Sequence, residues 1–303
     1  MSLKGRIVFL VHCIRKVVAD MKQLSKGQKS HYDLLQLSHR LEKGLLIKNP
    51  KPLWGWEKAY RIVGLLQKNK DEFSSTTANA VLSAFLDAKS SSSFKEDVDE
   101  YKLFMQKTSF TPTVYDGIGG TMVVRKTVFP EEERRVVKKL FESRHSCREF
   151  IDKTVSVEDV KKAVNMALRC PSACNRQPFK VYVIEPAKLE EELGKRLQYK
   201  GDKTLIITGD LRAFSPSETP DWLISPSIFA GYLTLSLHSL GIGSCVVRKD
   251  LVKPSAYNDA IRTVTGMSDS ECIVLEMFVG YYPNELAIPV SNRMTANEVV
   301  KFI

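Results

Sequence analysis

Apolar residues in the first third of the chain recur at intervals of three and four. Ile7, Leu10, Val11, Ile14, Val17, Val18 and Met21 keep that spacing, as do Leu34, Leu37, Leu41 and Leu45, then Trp56, Tyr60, Val63 and Leu66, and finally Val81, Ala84 and Phe85. Such a period draws one apolar stripe along a helix. Residues 1–107 are therefore expected to form a small all-helical domain, with Ser/Thr-rich joints at 74–77 and 90–93 separating the later helices. Between 108 and 129 the period dissolves around a proline and a glycine cluster, which reads as a linker. Gly117-Ile-Gly-Gly120 lacks the strand-to-helix setting of a phosphate loop and reads as a turn.

From 130 to 303 the pattern changes. Pro130 opens a charged helix running to about Ser143, and Ser156 with Asp159 marks a helix start ahead of the stripe Val160, Ala163, Val164, Ala167 and Leu168. FKVYVIE (179–185), TLIITGD (204–210) and ECIVLEMFVGYY (271–282) are rich in β-branched and aromatic residues and read as strands. That order predicts an α+β fold, a sheet with helices on its faces. From Trp222 to Val247 there is no Asp, Glu, Lys or Arg, a length that meets the membrane-span criterion. The same run holds five serines, Pro226, His238 and glycines at 231, 241 and 243. It reads better as a helix buried in the fold or at a subunit interface.

Composition is that of a globular chain: 303 residues, 43% hydrophobic and 9% aromatic. The formal charge of +10 is unevenly spread, since residues 1–50 hold ten Lys/Arg against three Asp/Glu. A local basic excess fits a solvated helix face first, and a peripheral contact with an anionic membrane or a protein partner second. No nucleic-acid partner is expected. The six cysteines (13, 147, 170, 174, 245 and 272) include no CxxC pair, so reduced thiols in a cytoplasmic protein are expected and no metal site. Lys4 and Arg6 precede only a short apolar run with no small-residue cleavage site, so no signal peptide is indicated.

The candidate chemistry lies in SRHSCREF (143–150) and CPSACNRQPF (170–179). Arg144, His145, Ser146 and Arg148 suit a phosphate, because guanidinium groups bind it bidentately and imidazole and hydroxyl add directed donors. A charged helix end has the same composition, and the cluster alone does not decide between them. The order of the downstream segments does. PSACNRQPF leads into a strand, LGIGSCVV (240–247) closes the uncharged helix, and Arg293 comes after the last strand. In these four elements the chain resembles the nitroreductase family of FMN-binding flavoproteins.

The resemblance implies a nitroreductase-like, antiparallel-rich sheet with flanking helices over 130–303, and a homodimer whose cofactor sites are shared between chains. It implies that Arg144, His145, Ser146 and Arg293 hold the FMN phosphate and that Arg148 reaches the pyrimidine edge of the flavin. Pro171, Ser172, Ala173 and Asn175 would line the flavin from the other subunit, and Val247, Arg248 and Lys249 would lie close to it. It implies an NAD(P)H oxidoreductase passing hydride through flavin N5 to a small-molecule acceptor by ping-pong kinetics. No catalytic acid or base is assigned. The basic pair Arg248 and Lys249 departs from the acidic or small residues of many relatives and would favour anionic substrates or NADPH over NADH. Phe179 stands where the family has tryptophan.

Two other readings stay open: a flavin-dependent dehydrogenase acting on a biosynthetic intermediate, and a non-catalytic flavin-binding scaffold docking on a membrane or protein. His39 and Glu42 share a helix face in SHRLEKGLL, but two groups complete no metal site, and an ordinary surface or interdomain pair is the simpler reading. Cys147, Cys174 and Cys245 are expected as small packed residues. Only 186–203 separates two predicted strands where larger relatives carry a helical cap, so the N-terminal helices are expected to lie over the flavin of one subunit.

Overall fold

The computed structural model describes residues 7, 10, 11, 14, 17, 18, 30–115, 117–198, 200–215, 218, 220–247 and 255–303. Ile7, Leu10, Val11, Ile14, Val17 and Val18 are helical, and all but Val17 are exposed. Helices α1 (Ser30–Leu45), α2 (Trp56–Leu66), α3 (Glu72–Ser90) and α4 (Lys95–Thr108) come next. They share one core in which Leu34, Leu41, Ile62, Phe85 and Phe104 are fully buried. Trp56 meets Phe85 edge-on at 5.3 Å between ring centroids and lies 5.5 Å from Phe104. Buried Asp97 ties the helices together by accepting from Lys89 Nζ at 2.8 Å, Trp56 Nε1 at 3.1 Å and the Leu53 backbone N–H at 3.0 Å.

The expected joint at 74–77 is instead the start of α3. Asp71 caps that helix by accepting from the Ser74 N–H at 2.8 Å, and Thr77 Oγ1 donates to the Phe73 carbonyl at 2.9 Å. Hydroxyl side chains near a helix start find partners within the helix, so a Ser/Thr run is compatible with either state. The break lies before Asp71.

From Ser109 to Pro130 the described chain forms neither helix nor strand. Its first part lies against α3, where Thr113 donates its N–H to Ser83 Oγ at 2.9 Å. Its second part stands out from the molecule, with Val114, Met122, Val123, Val124 and Val128 all more than 70% exposed. Helix α5 (Glu131–Ser143) has no buried residue, and Val136, Val137 and Phe141 are exposed.

The remainder is the α+β unit. Strands β1 (Phe179–Ile184), β2 (Lys203–Asp210), β3 (Gly243–Val247) and β4 (Glu271–Gly280) form an antiparallel sheet in the order β1-β2-β4-β3. Its register sets Val181 opposite Ile207 and Ser244 opposite Val279. β2 is buried at every position, as an inner strand covered on both faces must be. Leu205 and Ile207 face α6 (Val157–Ala167) and α8 (Asp221–Ser239), packing with Val160, Ala163, Phe229, Leu233 and Leu237. Ile206 faces the other way, towards Leu189 of α7 (Pro186–Leu193) and Ile261 of α9 (Ala256–Thr265). Ser156 caps α6 through the Asp159 N–H at 3.0 Å, as the sequence predicts.

β3 is a strand within LGIGSCVV, which the sequence marks only as the close of the uncharged helix. The uncharged helix α8 buries only one side, through Phe229, Leu233 and Leu237, while Ile224, Ile228 and Tyr232 are exposed. No described helix is long and apolar enough to cross a membrane. The chain ends in an exposed tail holding the short helix α10 (Ala296–Val299), closed by a capping box between Thr295 and Glu298.

Candidate functional site

The SRHSCREF run begins where α5 stops. Arg144 leaves the helix with extended backbone, and the chain then crosses the end of β3: Ser146 bridges Ser244, and the Cys147 N–H donates to the Ser244 carbonyl at 2.9 Å. Close approach of the two segments explains a glycine of the LGIGS turn. A Cβ on Gly243 would sit 2.7 Å from both Cys147 Sγ and the Tyr282 ring. At the crossing Cys147 is buried while Arg144, His145, Ser146 and Arg148 remain accessible.

These residues open onto a cleft of about 400 Å³ lined by Arg144, His145, Ser146, Arg148 and Arg293 together with Glu142. The C-terminal tail brings Arg293 across from more than a hundred residues away and adds Ile288 and Val290. None of Arg144, Arg148 and Arg293 has a carboxylate in ion-pair range among the described residues. Three unneutralised guanidinium groups with a hydroxyl on one concave surface make an anion site. His145 lines the same cleft. Its Nδ1 lies 2.9 Å from the Ser143 carbonyl and so donates there, while its ring stands edge-on to Tyr282 at 5.6 Å. Its Nε2 is buried without a hydrogen-bond partner among the described residues. Behind it, His238 Nε2 is 2.7 Å from Ser143 Oγ, and burial, with the neighbouring His145 and Arg144 charges, holds the His238 imidazole below its ordinary range. Burial also pushes the Cys147 thiol up, which fits its expected role as a packed residue rather than a nucleophile.

Arg148 also borders a second crevice, of about 330 Å³, lined by Phe150, Leu197, Lys200, Cys245, Val247 and Phe278. Val247 thus lines a crevice that shares Arg148 with the anion cleft. Arg248 and Lys249 lie outside the described residues. Leu197 and Lys200 had no signature in the sequence. They reach the site because the chain between α7 and β2 passes beside Cys245, Val247 and Phe278, a meeting of distant segments that no local pattern encodes.

Pro171, Ser172, Ala173 and Asn175 border neither cleft. They form a tight segment with a 3-10 turn at Ala173–Asn175, and three of its residues, Cys174, Asn175 and Gln177, have φ near +50° although none is glycine. Such backbone costs about 1–3 kcal/mol per residue and persists only where its surroundings enforce it. Here Ser172 Oγ accepts from the Gln177 N–H at 3.1 Å and the Ala173 N–H donates to Ser225 Oγ at 3.3 Å. Arg176 is buried beneath the segment, donating to the Ala213 carbonyl and to Glu218 Oε1 at 2.6 Å. That guanidinium holds the Glu218 carboxyl down to about 2. The segment also receives α1: Tyr32 and Leu35 pack with Ala173, Ala213, Phe214 and Trp222, and Tyr32 Oη donates to Asp210 Oδ2 at 3.2 Å. The helical unit is therefore docked on the Pro171–Asn175 segment of its own chain.

Residues 141–205, which include both motif runs, match the family model described as "Nitroreductase family". A curated relative from Archaeoglobus fulgidus, named "Putative NADH dehydrogenase/NAD(P)H nitroreductase", is 22% identical over 156 residues, covering 48% of this chain and 86% of that protein. Among solved structures, a nitroreductase family protein of Clostridium difficile 630 is 25% identical with a TM-score of 0.45, over 54% of this chain and 96% of that one. A nitroreductase with bound FMN from Desulfitobacterium hafniense DCB-2 is 18% identical with a TM-score of 0.43, over 55% of this chain and 97% of that one. The similarity to that family is thus carried by residues 141–205.

Proposed function

We propose that this protein is an FMN-dependent NAD(P)H oxidoreductase, with the FMN phosphate held in the cleft of Arg144, Ser146, Arg148 and Arg293. One observation carries the reading: the guanidinium groups of Arg144, Arg148 and Arg293, none with a carboxylate in ion-pair range among the described residues, converge there with the Ser146 hydroxyl. That donor set fits a phosphate dianion and the anionic pyrimidine edge of a reduced flavin. The adjoining crevice, bordered by Phe150, Val247 and Phe278, offers an apolar wall beside Arg148. When bound, the flavin supplies two-electron transfer from a nicotinamide to a second substrate. The protein's part is to hold the phosphate, place a cation at Arg148 and exclude water.

A second copy of the chain belongs to this reading. Helix α5 leaves Val136, Val137 and Phe141 exposed, and the neighbouring α8 leaves Ile224, Ile228 and Tyr232 exposed. The run 121–129 and the tail add Val123, Val128, Val290 and Phe302. The exposed apolar side chains of the adjoining α5 and α8 suit contact with a second copy. A homodimer covers them, and it brings the Pro171–Asn175 segment of one copy to the cofactor of the other. Within each chain, 1–107 serves as the helical domain, 108–129 as linker and 130–303 as the flavin domain.

The test is an FMN titration of the apoprotein, followed by flavin absorbance. Each donor to a phosphate contributes about 1.5–3 kcal/mol, so Arg144→Ala and Arg293→Ala should each weaken FMN about tenfold or more. Undiminished affinity in the double variant would remove the phosphate assignment.

A further inference from the structure

The core of α1–α4 closes on its own side chains, with Leu34, Leu41, Ile62, Phe85 and Phe104 fully buried. It takes nothing from the residues ahead of α1. There the described positions Ile7, Leu10, Val11, Ile14, Val17 and Val18 are all helical. At 3.6 residues per turn, Ile7, Leu10, Val11, Ile14 and Val18 fall within about 100° of arc and draw one apolar stripe. In a folded protein such a stripe is ordinarily covered. Here Ile7, Leu10 and Ile14 are 54%, 59% and 54% exposed, and Val11 and Val18 are exposed as well. None of the five packs into a buried cluster of the described residues.

The sequence around the stripe is cationic. Residues 1–29 hold Lys4, Arg6, Arg15, Lys16, Lys22, Lys26 and Lys29 against a single carboxylate, Asp20. A basic segment with an aliphatic face has the make-up of a helix that lies in the interface of an anionic bilayer, apolar side among the acyl chains and cations at the headgroups. We propose that the helical positions of 7–18 form a docking surface for an anionic phospholipid membrane, to which the protein attaches peripherally.

Length, charge and side-chain type each favour lipid. From 7 to 18 a helix rises about 18 Å at 1.5 Å per residue, well short of the roughly 30 Å hydrocarbon core. The segment therefore lies on a bilayer and does not cross it. A second copy is disfavoured as the occupant, because packing two stripes face to face brings two strongly basic segments together. Grooves in other proteins draw most of their binding energy from Trp, Tyr and Arg anchors. The described stripe is wholly aliphatic, and acyl chains ask for apolar area without asking for shape. The stripe shares no residue with the Arg144–Arg293 cleft, so the proposal stands whether or not that cleft holds FMN.

The test is co-sedimentation of the full chain with vesicles, phosphatidylcholine alone being compared with an equal mixture of phosphatidylcholine and phosphatidylglycerol. The parent should bind the mixed vesicles about tenfold or more tightly than the neutral ones. It should lose most of that preference at about 0.5 M salt, where surface charge is screened. Leu10→Glu combined with Ile14→Glu changes two exposed positions, so it should leave the urea midpoint parental and abolish binding. Arg15→Gln combined with Lys16→Gln should weaken binding about twentyfold, since each cation near the surface contributes about fivefold. Failure to bind the mixed vesicles, equal binding to neutral ones, or parental binding in the Leu10→Glu, Ile14→Glu variant would overturn the proposal. A smaller oligomer in that variant without vesicles would overturn it too, by showing that a second copy covers the stripe.

Discussion

The helical unit and helix α5 are both made of amphipathic helices, yet they end in opposite states. In α1–α4 the apolar stripes meet one another and Leu34, Ile62, Phe85 and Phe104 vanish from the surface. In α5 the stripe of Val136, Val137 and Phe141 meets nothing sufficient to bury it. Periodicity tells that a helix will bury one face; it does not tell against what. The first region holds its own partners, and in the proposed dimer the second finds its partner in another copy.

Three changes separate these cases. Phe85→Ala empties the centre of the helical core and should cost about 3–5 kcal/mol, read as a fall in the urea midpoint. Asp97→Asn leaves Lys89 buried without its counter-charge and should cost about 3 kcal/mol. Burial by itself would raise the Asp97 carboxyl, but hydrogen bonds from Lys89, Trp56 and Ser92 outweigh it and hold it below its ordinary value. Its contribution is therefore full above the unfolded value of about 4 and is lost as pH falls towards the folded one. The parent should lose stability over that acid range in a pH series of thermal melts, and Asp97→Asn should lack that loss. Phe141→Glu should scarcely alter the stability of the folded chain. It should raise the dimer dissociation constant about tenfold or more, a change of about 1.4 kcal/mol, read by sedimentation. An unchanged sedimentation profile would mean that the exposed α5 face is not the contact between copies.

Much of the fold could be read from the sequence because its elements carry their own signals. α1, α2 and α6 follow their apolar stripes, α5 follows the charged run opened by Pro130, and three strands follow their β-branched runs. β3 could not, because GSCVV is short, comes after an uncharged helix without a charged break, and becomes a strand only by pairing with β4. The start of α3 was hidden for a different reason, since Ser and Thr cap, bond within helices and populate loops alike. For the candidate site the divide is similar. Arg144, His145, Ser146, Arg148 and Arg293 were nameable from motif order, and the structure gathers them at one cleft. Leu197 and Lys200 were invisible, as was the docking of Tyr32 and Leu35 on the Pro171–Asn175 segment, because each arises from how distant segments meet.

The sheet order has a consequence for how the chain survives its own synthesis. Of the two edge strands, β3 is closed off by the chain itself, through the Ser146 bridge and the Cys147 N–H. β1 lies at the other edge with the sequence FKVYVI, in which Val183 is 47% exposed and every residue but one is apolar or aromatic. A short, β-prone edge with so little charge is a template for runaway strand addition between molecules. Lys180 is the exception, an exposed cation whose ammonium reaches back 2.7 Å to Glu271. An incoming strand would have to lie against that charge or displace it. One lysine thus stands as gatekeeper on the edge of the sheet most open to misassembly.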